Sequence, residues 1–208
     1  MQWSEKEFQD KKKRILNSTD LSRKGSVDSD IVELVDFINS HNQYVTTSSC
    51  SGRLILFCEV PSMGNSKEGC KWLYTTHDDI DMEDMMSKLD PTVGDLVLKF
   101  EPMILHVQCH TVEDAKHLHT CALESGFRNT GVTVGHRGKV MLAIRSCLNL
   151  EVPLSHAGKL LVSEEYLKFL TSKASEKMKE NKRRTMNFFS KIKSIKEKEI
   201  VRTEVLNF

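Results

Sequence analysis

The chain has 208 residues, of which 39% are hydrophobic and 28% charged, and its formal net charge is +1. That is enough apolar material for a buried core, in one globular domain or a domain with a tail, and it excludes a chain disordered throughout. Met1–Ile15 lacks the apolar stretch of a signal peptide, and no apolar run reaches the roughly 18 residues of a membrane span, so a soluble, cytoplasmic protein is expected.

In chain order, residues 4–17 set Lys6, Lys11, Lys12, Lys13 and Arg14 around Phe8 and Ile15, which predicts a short basic helix broken within Asp20–Ser26. Ile31, Leu34, Val35 and Ile38 recur at helical spacing and predict a helix over 28–40. Tyr44-Val45-Thr46 then reads as a strand, Thr46–Arg53 as a hydroxyl-rich loop, and Leu54–Glu59 as the returning strand. Pro61–Gly69 reads as a polar loop, Trp72–Thr76 as a strand and Asp81–Leu89 as a helix ended by Asp90-Pro91. Val93–Phe100 and Met103–Cys109 are predicted as two strands flanking Glu101-Pro102. Thr111 and Asp114 form a capping-box start for a helix ending near Ser125, with Gly126 past its C-terminus. Gly131–Val134 and Lys139–Ile144 flank the turn Gly135-His136-Arg137-Gly138 and predict a hairpin. Ser163 can cap a long helix that begins at Glu164-Glu165.

Residues 168–208 hold twelve Lys or Arg against five Glu, so the rest of the chain is net acidic. A basic helix carrying Phe188 and Phe189 can lie along nucleic-acid phosphates, or it can be a solubilising tail. Short strands alternate with helices and hairpins. The expected fold is therefore α+β, with a mixed, largely antiparallel sheet flanked by helices and a long basic C-terminal helix. The expected organisation is a basic N-terminal helix over 1–20, a catalytic α+β domain over 21–165, and a basic helix or tail over 166–208, partly disordered beyond about 190.

The octapeptide Thr46-Thr47-Ser48-Ser49-Cys50-Ser51-Gly52-Arg53 is the segment richest in chemistry. Six hydroxyl or thiol side chains precede a glycine that lets backbone approach a ligand and an arginine with a fixed charge. Such a set suits a polar, anionic ligand; a plain Ser/Thr-rich loop is the competing reading. Cys50 and Arg53 are too close in sequence for a phosphatase cradle, and there is no GxSxG elbow for a Ser-His-Asp triad. No GxGxxG follows a first strand, so the usual nucleotide fingerprint is missing.

Cys50, Cys58, Cys70, Cys109, Cys121 and Cys147 are scattered without a CxxC pair and read as reduced thiols. His106, Cys109 and His110 fall within five residues, but on a strand the cysteine faces away from both histidines, so no metal is expected. A lone His106 on an apolar strand is either a satisfied core residue or a site residue. His117 and His119 read as solvated helix residues. Arg53, Arg128, Arg137, Lys139 and Arg145 together can form a phosphate-facing surface, and Arg145, read as an arginine in an otherwise apolar strand, suggests a paired or ligand-facing role.

Five blocks resemble one family. SRKGSVD (22–28), TTSSCSGR (46–53), LKFEPMILHVQC (98–109), SGFRNTGVTVGHRGKVMLAIRS (125–146) and LEVPLS (150–155) occur in the order and spacing of the wybutosine-synthesizing protein 3 family. The resemblance covers about residues 20–185. It implies a fold other than the Rossmann-like methyltransferase. It implies an S-adenosylmethionine-dependent methyltransferase that methylates N4 of a demethylwyosine-type base beside the anticodon of tRNA(Phe), with other enzymes of that pathway as further candidate partners. Under this resemblance Thr47, Ser48, Ser49, Cys50, Ser51, Gly52, Arg53 and His106 are expected at the donor. Ser49, Arg53 and His106 are expected at the chemistry, with His106 as proton acceptor or base-orienting group. Trp72, His77, Arg128, Asn129, Arg137, Lys139 and Arg145 are expected to hold the tRNA or its base, and Phe127 or Trp72 can stack on it. The rival expectation is a non-catalytic RNA-binding module or a structural partner in the same pathway.

Overall fold

The structure, a computed structural model, describes residues 3–19, 25–59 and 70–206, with side-chain surroundings as far as Ser194. The expected break over Asp20–Lys24 and the polar loop over Pro61–Gly69 lie outside the described residues. The elements are α1 (Glu5–Leu16), α2 (Val32–Asn39, entered through a 3-10 turn at Ser29–Ile31), β1 (Tyr44–Glu59), β2 (Cys70–Thr76), α3 (Met82–Ser87), β3 (Asp95–Cys109), α4 (Val112–Glu124), β4 (Gly131–Val134), β5 (Val140–Ile144), β6 (Leu150–Pro153), β7 (Ser155–His156), β8 (Lys159–Leu160) and α5 (Glu164–Leu206). This is the α+β architecture expected, and no helix among the described residues is long and apolar enough to cross a membrane.

The six-stranded sheet has the order β2-β1-β3-β5-β4, and β6 pairs with β3. The pairings β1–β2, β3–β5, β3–β6 and β4–β5 are all antiparallel. Two expectations are corrected here. The hydroxyl octapeptide is not a loop: it lies inside the 16-residue strand β1. Two threonines start it with strand-favouring branched side chains, and Gly52 takes a φ of +103° that only glycine adopts easily. Val93–Phe100 and Met103–Cys109 are likewise one strand, β3. Pro102 interrupts no ladder bond on that side, because it falls between the residues paired with β6 (Val97–Phe100) and those paired with β5 (Leu105–Cys109).

The chain divides into two compact units. The first comprises Met1–Ser51, Met103–Cys147 and Lys182–Phe208. Its core joins Ile31, Leu34, Val35 and Ile38 with Leu105, Val107, Leu118, Phe127, Leu142, Ile144 and Phe188. Phe188 meets Phe127 edge-on at 6.1 Å, so this aromatic is a core residue rather than a nucleic-acid contact. Burying a phenylalanine of this kind stabilises by about 2–3 kcal/mol. Of the helix starts, the one at Thr111 is built as the sequence predicts, and the box at Ser4 is an addition. Ser4 and Glu7 form one capping box at α1, and Thr111 and Asp114 form another at α4.

The second unit comprises Gly52–Pro102 and Leu148–Asn181. Leu54, Leu56, Leu96, Leu98 and Phe100 form its core with Leu167, Leu170, Ala174 and Met178. The last four recur at helical spacing along α5, which is why this stretch of a strongly charged helix is held down. Ser163 begins the helix by accepting the backbone N–H of Tyr166 at 3.2 Å on its hydroxyl.

Candidate active site

In the first unit, β1 and β3 bring Ser48 and His106 together. His106 pairs across the sheet with Ala143 of β5, and Arg145 lies two residues further on, the diagonal position that a long side chain can reach. Arg145 Nη2 donates to His106 Nε2 at 3.3 Å, and His106 Nδ1 lies 2.8 Å from Ser48 Oγ. A guanidinium can only donate, so Nε2 carries the lone pair and the proton sits on Nδ1, donating to Ser48. Ser48 keeps its own O–H as a donor. The half-buried imidazole has its pKa lowered by burial and by the Arg145 charge, so it stays neutral. Thr47 completes this edge by donating its hydroxyl to the His106 carbonyl at 3.3 Å.

Beside these residues lies a cavity of about 650 Å³. It is lined by Thr46, Thr47, Ser48 and Ser49 of β1, by Val35, Asp36 and Asn39 of α2, and by Ile15, Leu16, Ser18, Thr19, Ser26 and Val27. It combines an apolar wall, a row of hydroxyls and one carboxylate, and its size suits a nucleoside-sized ligand. Asn39 fixes the strand at the cavity mouth: its Oδ1 accepts the Thr46 N–H at 2.8 Å and its Nδ2 donates to Thr46 Oγ1 at 2.8 Å. Ser51 is buried, and its N–H donates to Asp28 Oδ2 at 2.8 Å. Neither Asp28 nor Asn39 was singled out by the sequence reading. The available signal for Asp28 was its place at the end of the SRKGSVD block; for Asn39 it was a polar residue at the end of an apolar helix.

Arg128 and Asn129 are exposed on the turn between α4 and β4, and that turn is tied to Arg145. The Asn129 N–H donates to the Arg145 carbonyl at 3.2 Å, and the Arg145 N–H donates to Thr130 Oγ1 at 3.3 Å. Arg128, Asn129 and Arg145 therefore share the His106 end of the β4–β5 hairpin. Arg137 and Lys139 sit at its other end, separated from Arg145 by the five residues of β5, roughly 16 Å of strand. There the Arg137 carbonyl accepts from Trp3 Nε1 at 2.9 Å. The expected basic surface thus splits into two ends of one hairpin.

Gly52, Arg53, Trp72 and His77 belong to the second unit. Arg53 Nη2 and Nε lie 2.9 and 3.0 Å from Glu101 Oε2, and the guanidinium stacks over the Trp72 ring at 4.6 Å. His77 Nδ1 lies 3.4 Å from the Gly52 carbonyl. Lys99 reaches Glu101 at 3.5 Å and Glu151 at 3.1 Å, so the arginine is one member of a charge network. Glu101, the partner of Arg53 across 48 residues of sequence, was not foreseen.

The other clustered ligand atoms of β3 have separate duties. The Cys109 thiol is pushed up to about 12 by burial and by Asp114, which keeps it protonated. His110 packs against Phe8 at 5.2 Å and donates from Nε2 to the Trp3 carbonyl at 3.0 Å.

The family described as Methyltransferase TYW3 matches residues 10–194. The chain belongs to that family. It is similar to the tRNA wybutosine-synthesizing protein 3 homolog of Bos taurus, 50% identical over 198 residues, covering 95% of this chain and 77% of that protein. The homolog of Danio rerio is 52% identical over 182 residues, covering 87% and 72%. Among solved structures, the PH1069 protein from Pyrococcus horikoshii superimposes with a TM-score of 0.80 at 34% identity, covering 90% of this chain and 97% of that one. This member of the Methyltransferase TYW3 family is thus an enzyme, a methyltransferase of the wybutosine pathway, built on a fold other than the Rossmann-like one.

Proposed function

We propose that this methyltransferase uses S-adenosylmethionine to methylate N4 of the demethylwyosine-type base next to the anticodon of tRNA(Phe). The family match over residues 10–194, with half-identical relatives that are wybutosine-synthesizing proteins, carries the reading. The Ser48–His106–Arg145 arrangement beside a hydroxyl-lined cavity supports it.

The residues around the cavity fit such a donor. Val27, Val35, Ile15 and Leu16 offer an apolar wall for an aromatic base, while Thr46–Ser49 and Asp36 offer partners for hydroxyl and ammonium groups. The donor, when bound, supplies a methyl group on a positively charged sulfur, whose bond breaks as the acceptor nitrogen's electron pair forms the new one. The chain's own task is to align the acceptor and take its proton. His106, held neutral, is the group able to accept that proton at Nε2. Arg145 covers this lone pair, and its exposed guanidinium is suited to a tRNA phosphate. When Arg145 turns to a phosphate, Nε2 is uncovered and the imidazole becomes more basic as the cation leaves. Arg128 and Asn129 face the same substrate at this end of the hairpin. In the second unit, Arg53 and Trp72 form a stacked pair with Glu101 that suits a planar or anionic group.

Mass spectrometry of the modified base tests the proposal, after purified protein is incubated with S-adenosylmethionine and demethylated precursor tRNA(Phe). Gain of one methyl on the tricyclic base is expected. Calorimetry with the donor separates the rival reading, because a non-catalytic RNA-binding module would bind tRNA but not S-adenosylmethionine.

A further inference from the structure

We infer that Arg184 of α5 is a positioning residue that ties Ser146, next to Arg145, to the turn bonded by the Arg145 backbone, and so holds the Arg145–His106 contact in place. This inference rests on the role proposed for that pair, but its geometry stands independently of it. Arg184 Nη1 donates to the Gly126 carbonyl at 2.8 Å and to Ser146 Oγ at 3.2 Å. Ser146 is buried and adjoins Arg145. Gly126 opens the turn whose Asn129 N–H donates to the Arg145 carbonyl and whose Thr130 hydroxyl accepts the Arg145 N–H. One guanidinium thus brackets Arg145 between the Ser146 side chain and the turn that the Arg145 backbone bonds.

The turn is shaped for this. Gly126 has φ +96°, and a Cβ there would approach Arg184 Nε to 3.0 Å and Cδ to 3.1 Å. A glycine meets both demands, the left-handed backbone and room for the arginine. Arg184 reaches the turn from a helix whose next turn buries Phe188 against Phe127, so its own backbone is fixed. Nη1 carries two N–H bonds, so this one nitrogen can serve a carbonyl and a hydroxyl at once. Arg145 therefore has a fixed base from which its exposed guanidinium covers the histidine lone pair.

The test reads the imidazole directly. The His106 ring resonance is titrated by NMR in the full chain and in Arg184→Gln, Arg184→Lys, Ser146→Ala, Arg145→Gln and Lys182→Gln. Arg145→Gln, which removes the cation, is expected to move the midpoint up in pH. Arg184→Gln moves it the same way if the clamp holds Arg145, and Ser146→Ala moves it by a smaller amount. Lys182→Gln breaks the 2.8 Å contact to Asp30 from the same helix without touching the bracket, and leaves the midpoint where it was. Arg184→Lys restores part of the native position. A folded Arg184→Gln with the native midpoint, beside a shifted Arg145→Gln, overturns the inference. If Arg184→Gln fails to fold, a native midpoint in Ser146→Ala, which removes the 3.2 Å contact to Arg184, overturns it. Full methyl transfer by a folded Arg145→Gln would instead remove the role proposed for the pair, while the bracket would still be read from the titrations.

Discussion

Arg145 Nη2 lies 3.3 Å from His106 Nε2, and this contact sets the tautomer of the imidazole and, after burial, helps hold it neutral. His106→Gln keeps a polar side chain at the position but removes the titrating nitrogen. For a group that accepts a proton during reaction, the expected loss in kcat is about 100- to 10,000-fold. Donor affinity by calorimetry should stay within about twofold. An equal loss in kcat and donor binding would assign His106 to the donor rather than to proton transfer.

The lowered pKa of His106 also predicts a pH dependence of stability. Its causes are burial first and then the Arg145 charge. A histidine with a folded pKa below its ordinary 6.5 resists protonation in the folded state, whereas the unfolded chain takes the proton freely. The unfolded state therefore binds more protons in this window, and stability falls as pH drops from about 6.5 toward the folded value. Above that window the contribution is constant. Denaturation midpoints measured from pH 7.5 down to 5 should decline less in His106→Gln than in the native chain; parallel slopes would contradict the assignment.

How much of this could be read from the chain depended on how local the determinants were. The capping box at Thr111–Asp114, the β4–β5 hairpin and the Ser163 helix start are decided within a few residues, and they stand where the spacing puts them. The octapeptide was misread as a loop because hydroxyls on both faces deny a strand its usual apolar side. β1 tolerates them because Ser48 and Thr47 meet His106 and Thr46–Ser49 line a cavity. Glu101-Pro102 was misread as a break because nothing local says that β3 changes partner at that point. His106, Ser48 and Arg145 were each visible as candidates. That they touch follows from the β3–β5 register, which a single sequence does not contain. The partners Asp28, Glu101 and Arg184 were missed for the same reason: each is a common surface residue type until the fold supplies what it holds.

The burial of Phe188 makes the stretch of α5 after Asn181 part of the first unit's core rather than a removable tail. Phe188 is fully buried against Phe127, while Met186 two residues earlier is 70% exposed. Phe188→Ala should cost about 3–5 kcal/mol, a large share of the roughly 5–15 kcal/mol that holds a typical domain. Met186→Ala should change stability by less than about 0.5 kcal/mol. Urea midpoints of the two variants decide the matter, and similar midpoints would mean that this stretch of helix is not docked in solution.

Cysteine reactivity offers a check that needs no substitution. Cys109 is 2% exposed and its thiol is pushed up to about 12, chiefly by burial, so almost none of it is thiolate near neutrality. Burial also raises the Cys121 thiol, with the Glu124 charge adding to it. Cys147 is exposed, on the segment just after Ser146. At pH 7.5 a maleimide should therefore modify Cys147 within minutes, while Cys109 and Cys121 react only once urea opens the first unit. Peptide mapping of labelled protein reads this out. Modification of Cys109 at a rate near that of Cys147 would show that the end of β3 opens readily, and that the Trp3 and Phe8 contacts to His110 do not hold it shut.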